Sequence, residues 1–243
     1  MDLGQYFVKD YTGSGFILFG TAHLVTLLVI VLFILFLMRF KGTSEETRLK
    51  VRWSLAIVLW LVEGSWHIWN IAIGTWTIQT MLPLHMCSVL IWLTGFMLIF
   101  KKYSIYEFVY FLGIGGALQA LLTPDVGIYG FPHFRAFQVM VSHGSIVTAS
   151  VYMTAVEGFR PTWQSLKRVL IGGNIYMAVI FVLNLIIGSN YLFIAHKPAT
   201  ASVIDLLPPW PYYIIFIELM GVVMSLILYL PFLIGDWARR KAT

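Results

Sequence analysis

The sequence predicts an all-α membrane protein, a polytopic bundle of seven transmembrane helices. Hydrophobic residues make up 59% of its 243 residues and charged residues only 11%, which is more apolar surface than a soluble chain of this length could bury. Seven apolar stretches approach or exceed the roughly 20 residues that a helix needs to cross a bilayer. We expect them to form one transmembrane domain, residues 1–243, with spans at Phe16–Met38, Trp53–Ile73, Pro83–Phe100, Ile105–Thr123, Ala136–Val156, Val169–Gly188 and Tyr212–Ile234.

Basic residues predict the orientation of the bundle. Thirteen of the 16 Lys and Arg residues lie between spans one and two, three and four, or five and six, or after span seven. Only Lys9, Arg135 and Lys197 fall on the other side. By the positive-inside rule the N-terminus is outside and the C-terminus is cytoplasmic, in a multi-pass protein of the plasma membrane. The net charge of +5 is therefore a topology signal, and we expect no nucleic-acid partner.

Span two carries three polar residues on one face. Glu63, His67 and Asn70 are spaced i, i+4 and i+7, which places their side chains on the same side of an α-helix. An ionised side chain at the centre of a membrane helix costs at least about 2.5 kcal/mol, so such residues normally face a protein-lined cavity. We expect this stripe to face the interior of the bundle.

The segment MLPLHMCSV leads into span three, and in it His85 and Cys87 follow Pro83. Proline is tolerated in the first turn of a helix, where its missing N–H costs little. The partial positive charge of the helix N-terminus favours a thiolate at Cys87, the one cysteine of the chain, whereas burial disfavours it. Cys87 could be a reactive nucleophile or a small hydrophobic packing residue.

Spans four, five and seven add polar side chains at a similar depth, namely Gln119, His143 and Glu218. At about 1.5 Å per residue, His67, Cys87, His143 and Glu218 each lie roughly 6–10 Å below the outer boundary. Polar residues that share one depth on separate helices predict a common pocket in the outer half of the membrane.

The outer loops Pro124–Arg135 and Ser189–Pro211 are rich in aromatic, proline and branched aliphatic residues. Such side chains are unusual in loops exposed to water. We interpret both loops as caps at the membrane interface, as a lid or as a short re-entrant segment. Simple anchoring by an aromatic belt is the alternative.

Three short motifs resemble the YwaF-type integral membrane family, a bacterial family. They are Leu82–Cys87 (LPLHMC), the E-x-x-W motif Glu63–Trp66, and Ser142–Ser145 (SHGS). A vertebrate relative of that family is an acyltransferase that moves polyunsaturated acyl chains onto ether phospholipids, with a cysteine and a histidine proposed as essential. The resemblance implies that Cys87 and His143 fill these two roles. Related androgen-induced-type membrane hydrolases have a threonine in place of the cysteine.

We therefore predict a lipid acyltransferase or lipid-ester hydrolase in which Cys87 is the nucleophile and His143 the base, acting on a membrane phospholipid or another acyl-lipid without cofactor or metal. The remaining polar residues would line the substrate pocket: Glu63, His67, Asn70, His85, Gln119 and Glu218. Two alternatives stay open. One is a zinc-dependent lipid hydrolase that uses the outer histidines. The other is a transporter or ligand-binding protein, because intramembrane Glu and His also form proton relays, although no inverted repeat supports transport.

Overall fold

The computed structural model describes residues 3–198 and 203–242, and these ranges contain helices and no β-strand. A π-helical turn, Val109–Gly113, joins α4 to α5 in one continuous segment, so seven helical segments occupy the positions of the seven predicted stretches. The prediction of an all-helical chain is confirmed. The helices are α1 Thr21–Leu37, α2 Glu45–Ala72, α3 Met86–Phe100, α4 Tyr103–Phe108, α5 Ile114–Leu122, α6 Phe134–Ala155, α7 Trp163–Ile187 and α8 Tyr213–Ala242.

Five helical segments in the described ranges are long and apolar enough to cross a membrane. They are Thr21–Phe40, Glu45–Ala72, Tyr103–Leu122, Trp163–Ile187 and Tyr213–Lys241. α3 is apolar but has 15 residues, about 22 Å at the rise of an α-helix. α6 is long enough but less apolar, because it packs against α1, α2, α3 and α5 and therefore does not need a continuous lipid-facing surface. The structure is that of a multi-helix membrane protein.

Local capping explains why two helices extend beyond the predicted spans. α2 begins at Glu45 because Ser44 caps it, with Oγ accepting a hydrogen bond from the Thr47 N–H at 3.3 Å. α7 begins at Trp163 because Thr162 and Ser165 form a capping box. Both caps lie in polar segments, so a hydropathy criterion alone places the helix starts too late in the chain.

Small residues let α6 and its neighbouring helices approach one another closely. A methyl group built on Gly144 of α6 would lie 2.8 Å from Cδ1 of Ile30 on α1, closer than real side chains tolerate. Gly113 is similarly close to Ile146, at 3.0 Å. Close backbone approach through small residues is typical of helix packing in membranes. By contrast, α1 exposes most of its large apolar side chains and α7 exposes seven of its own, as expected for helices that face lipid.

Charged residues gather at one end of the bundle, which we call the ionic end. There Glu157, after α6, forms salt bridges with Arg52 of α2 and, at 2.7 Å, with Lys101 after α3. Nearby, Glu107 of α4 pairs with Arg168 of α7. The Glu157 pairs join the N-terminal part of α2 to the ends of α3 and α6, and the Glu107 pair joins α4 to the N-terminal part of α7. The pairs therefore hold five helices together at this end of the bundle.

Candidate functional site

A polar cavity of about 380 Å³ lies at the end of the bundle away from the ionic end. The second half of α2, the first turns of α3 and α6, and α5 form its walls, together with residues from the loops between helices. Five of the eight sequence-predicted site residues line it: Glu63, His67, His85, Cys87 and His143. Its lining also includes Trp66, Thr80, Met81, Leu82, Ser88, Ile91, Ala120, Asp125, Arg135, Gln138, Val139, Ser142 and Phe193.

The other three predicted residues lie elsewhere. The Asn70 side chain serves the end of α2, donating to the Trp66 carbonyl at 2.8 Å and accepting from the Thr75 hydroxyl at 2.8 Å. Gln119 is exposed beside a second, apolar cavity, where its amide contacts the sulfur of Met220 at 3.3 Å. Glu218 is half-buried on α8 and lines neither cavity.

Side chains from α7 and the loop after it position the segment that carries His85 and Cys87. The Tyr176 hydroxyl donates to the Leu84 carbonyl at 2.8 Å. The Tyr191 hydroxyl accepts from the Leu82 N–H at 2.8 Å and donates to the Ile78 carbonyl at the same distance. The segment before α3 is therefore anchored, because its backbone groups are bonded to tyrosines of another part of the chain.

Hydrogen bonding determines the tautomer of His143. Its Nδ1 lies 2.8 Å from the carbonyl oxygen of Val139, one turn earlier in α6. A carbonyl oxygen can only accept, so Nδ1 carries the hydrogen and the neutral ring keeps its lone pair on Nε2. Nε2 has no hydrogen-bond partner in the described part of the chain. His143 therefore offers a proton acceptor to the cavity.

His67 and His85 have the opposite tautomer. Nδ1 of His67 accepts from the indole N–H of Trp76 at 3.1 Å, and Nδ1 of His85 accepts from the Leu192 N–H at 3.3 Å. In both neutral rings the hydrogen is therefore on Nε2. These two histidines are hydrogen-bond donors to the cavity, whereas His143 is an acceptor.

Cys87 lies in the first turn of α3, after the N-cap residue His85. The first N–H groups of a helix have no partner within it, so this turn presents free donors and a partial positive charge. The thiol points towards α5, because a methyl group built on Gly116 would lie 3.7 Å from Sγ. Cys87 is a free, half-buried thiol that lines the polar cavity.

Glu63 is a buried carboxylate with incomplete hydrogen bonding. The residue is 2% exposed, and within the described ranges its Oε1 has no hydrogen-bond partner. The nearest imidazole nitrogen, Nε2 of His67, lies 3.7 Å away, beyond normal hydrogen-bond distance. This buried oxygen therefore lacks the donor that buried polar atoms normally have.

Arg135, in the first turn of α6, is a cavity residue outside the predicted set of site residues. Its guanidinium lies 3.9 Å from the centre of the Trp66 indole ring and donates to Oε1 of Gln138 at 2.5 Å. It also donates to the Asp125 backbone carbonyl at 3.3 Å, and no salt bridge to a described carboxylate is formed. One signal in the sequence could have indicated it, since Arg135 is one of only three basic residues on the predicted outer side.

The loop before α6 and the N-terminal segment hold Arg135 in place. Nδ1 of His133 accepts from the Arg135 N–H at 3.1 Å, and its Nε2 donates to the Val8 carbonyl at 3.1 Å. Burial lowers the pKa of His133 below its ordinary value, although the bond to Val8 acts in the other direction. Of the two loops predicted as caps at the membrane interface, Pro124–Arg135 supplies Asp125 and Arg135 to the lining of the polar cavity, and its place at the interface stays a prediction. Of the second predicted cap, Ser189–Pro211, residues 199–202 lie outside the described residues.

Among the residues that the structure describes, no group of three or more His, Cys, Asp or Glu side chains is arranged to hold a metal ion. The histidines of the cavity come from α2, the N-cap of α3 and α6, and they make separate hydrogen bonds. A zinc site built from them would require a different arrangement of these rings.

The polar cavity lies within the part of the chain that matches a known family. Residues 18–229 match the model of the TMEM164 family, a family of membrane proteins. No curated protein and no solved structure shows significant similarity to the chain. The matched range includes α1 to α7, most of α8 and every residue that lines the polar cavity. The chain therefore belongs to the TMEM164 family.

Proposed function

We propose that this protein is a membrane lipid acyltransferase or lipid-ester hydrolase that uses Cys87 as nucleophile and His143 as general base. One observation carries the proposal: the cavity that contains the single cysteine also contains one imidazole whose Nε2 is left as a free acceptor. The resemblance of LPLHMC and SHGS to the YwaF-type family supports the same pair of residues.

In the proposed reaction, Nε2 of His143 takes the proton of the Cys87 thiol as the sulfur attacks the carbonyl carbon of an ester. The bond between that carbon and the alcohol oxygen then breaks, and His143 gives the proton to the leaving alcohol. The acyl group is now a thioester on the sulfur. A lipid hydroxyl or water attacks the thioester after losing its proton to His143, and that proton passes to the departing sulfur.

Two kinds of donor in the cavity would stabilise the oxyanion of each tetrahedral intermediate. They are the Nε2–H of His85 and the free N–H groups at the start of α3, which include that of Cys87 itself. Loss of one such donor typically lowers a rate by about 10²–10³-fold. Arg135 would bind the phosphate of a phospholipid substrate, because a guanidinium pairs well with phosphate oxygens.

We further propose that all seven helical segments cross the plasma membrane, with the N-terminus outside and the polar cavity open to the outer leaflet. The clustering of basic side chains at the ionic end supports this orientation. A reporter enzyme that is active only outside the cytoplasm tests it. Inserted at Gly127 it should be active, and inserted at Gly158 inactive; both glycines are exposed, with open space around them. The reverse pattern would contradict the proposed orientation.

The single cysteine makes the thioester directly observable. Purified protein is incubated with phospholipid vesicles, and its intact mass is measured before and after treatment with hydroxylamine, which cleaves thioesters. We expect an acyl adduct on the wild-type protein that hydroxylamine removes, and no adduct on Cys87→Ala. His143→Gln should form the adduct at least about 10²-fold more slowly, the usual contribution of a general base.

His196→Gln is the matched control, because His196 is an exposed histidine of the loop after α7 that does not line the cavity. It should form the adduct at the wild-type rate. Full lipid-remodelling activity in a folded Cys87→Ala protein would refute the proposed function.

A further inference from the structure

A second cavity, of about 260 Å³, lies between α3, α5, α7 and α8 and is lined almost entirely by apolar side chains and glycines. We call it the apolar groove. On α8 its lining extends from Ile214 to Met224, which is about 15 Å along a helix axis. Gln119 contributes the one polar side chain of the lining, and its amide is directed at the sulfur of Met220.

The thiol of Cys87 lies at the wall between this groove and the polar cavity. Cys87 lines the polar cavity, whereas its neighbour Met86 lines the groove. Gly116 also lines the groove, and a methyl group built there would be 3.7 Å from Sγ. A molecule that reacts at the sulfur could therefore have a polar part in one cavity and an apolar part in the other.

A comparison with another apolar cavity shows what is specific to the groove. A cavity of about 240 Å³ between α1, α2 and α6 is similar in size and equally apolar, with Phe33, Leu55 and Met140 in its lining. Its lining includes neither Met86 nor Gly116, the two groove residues that adjoin Cys87. Of these two apolar cavities, the groove is the one that adjoins the sulfur, so it is the one that a chain attached to the reacting carbonyl group can enter.

We propose that the apolar groove holds the acyl chain of the ester that Cys87 attacks, and that Gly221 sets the length of chain that it accepts. This proposal rests on the proposed function and adds the residues that would select the substrate. Gly221 lines the groove, and a side chain built there would enter open space. The first carbon of a larger side chain at this position therefore meets no neighbour, and we expect the rest of the side chain to fill part of the groove.

Gly235 is the matched control for Gly221. Both glycines lie in α8, both are half-buried, and neither has an atom within 4 Å of an added methyl group. Gly235 does not line the groove. Leucine is a good helix former, so Gly221→Leu and Gly235→Leu should affect the helix itself in the same way. A difference in acyl-chain selection between the two variants is then an effect of the groove.

In the experiment, the full-length protein is incubated with phosphatidylcholine vesicles that contain equal amounts of short, medium and long acyl chains. The acyl chains attached to Cys87 are then identified by intact mass. In the wild-type protein and in Gly235→Leu, we expect the longer acyl chains on Cys87. Gly221→Leu should shift the ratio towards shorter chains by about tenfold, the consequence of excluding roughly two methylene groups from the groove. An unchanged ratio would overturn the proposal.

A binding measurement separates this proposal from the proposed function. Cys87→Ala protein is labelled with a long-chain fatty acid that carries a photoreactive group at its end, and the labelled peptides are identified. Labelling within 214–224 of α8 that Gly221→Leu abolishes supports the groove even if no thioester ever forms. Labelling that is spread evenly over the lipid-facing helices contradicts the groove, whatever the fate of Cys87.

Discussion

Buried charges are paired at the ionic end of the bundle, whereas in the polar cavity they are not. The Glu157 side chain is 1% exposed and contacts Arg52 and Lys101. Glu63 is equally buried, yet one of its oxygens has no partner among the described residues. Arg135 is held by an indole ring, an amide and a carbonyl oxygen and forms no salt bridge within the described ranges.

The difference indicates what each region does. Taking a charge out of water costs several kcal/mol, which an opposite charge and further hydrogen bonds can offset. At the ionic end other side chains of the protein supply the opposite charges and hydrogen bonds, so the charges there stabilise the arrangement of the helices. In the polar cavity some of these partners are missing, so a bound molecule is their natural source.

The largest effect is expected at the ionic end. Replacement Glu157→Ala removes one of the two carboxylates that pair with the buried Arg52 guanidinium and leaves only Glu45, at 2.8 Å. We expect the free energy of unfolding to fall by about 3 kcal/mol, the lower end of the range for breaking a buried pair. Unfolding by denaturant in detergent micelles measures it. Glu46→Ala is the control, because Glu46 forms an exposed salt bridge with Lys50 on α2, the helix that carries Arg52. An equal loss in both variants would show that burial of the pair does not matter.

The polar cavity should respond in the opposite way. We expect Glu63→Gln to leave the free energy of unfolding unchanged or raised, because it removes a buried charge that has no full set of partners. Activity per folded molecule should fall about tenfold, equivalent to about 1.4 kcal/mol in the transition state. A stability loss as large as that of Glu157→Ala would mean that Glu63 is a structural residue like those of the ionic end.

Arg135 tests which part of the substrate the cavity binds. Arg135→Gln should raise the KM for a phospholipid about tenfold, since a hydrogen bond to a charged group contributes about 1.5–3 kcal/mol. The KM for an uncharged diacylglycerol should not change. Arg135→Lys keeps the charge and should recover part of the loss. Equal effects on both lipids would argue against a phosphate subsite.

The smallest effect concerns the cap over the cavity. Burial lowers the pKa of His133, so its ring is neutral in the folded protein and gains a proton more readily when unfolded. Stability should therefore fall as the pH decreases below about 6.5, the ordinary histidine pKa, towards the lowered value. Melting temperatures at pH 7.5 and 5.5 measure the change. His133→Asn keeps an N-cap residue, and we expect the melting temperature of this variant to change less with pH. If it changes as much as in the wild type, groups other than His133 cause the pH dependence of stability.

Sequence patterns predicted the helices better than the site. Each of the seven apolar stretches corresponds to a helical segment, because hydropathy and period are local properties of the chain. Depth along each helix also predicted five residues of the polar cavity. Depth does not specify which way a side chain points around the helix, and this is where Gln119 and Glu218 differ from the prediction.

Asn70 and Arg135 show a second kind of limit. Asn70 shares a helix face with Glu63, but its side chain completes hydrogen bonds at the end of α2. In the sequence Arg135 is a basic residue just outside the spans, and only the structure shows that its long side chain reaches the Trp66 ring. Such contacts involve residues distant in sequence or at helix ends, and periodicity carries no information about them.

Read alone, the amino-acid sequence determined that the chain is a helical membrane protein, where its helices lie, and that its polar residues collect at one depth. These features follow from the cost of placing polar groups in hydrocarbon, a cost that each segment meets separately. Tertiary packing was needed to establish which nitrogen of each histidine is protonated, which charges are paired, and that Cys87 separates a polar cavity from an apolar groove. Those features depend on partners from other helices, and only the folded arrangement brings them within hydrogen-bond or van der Waals distance.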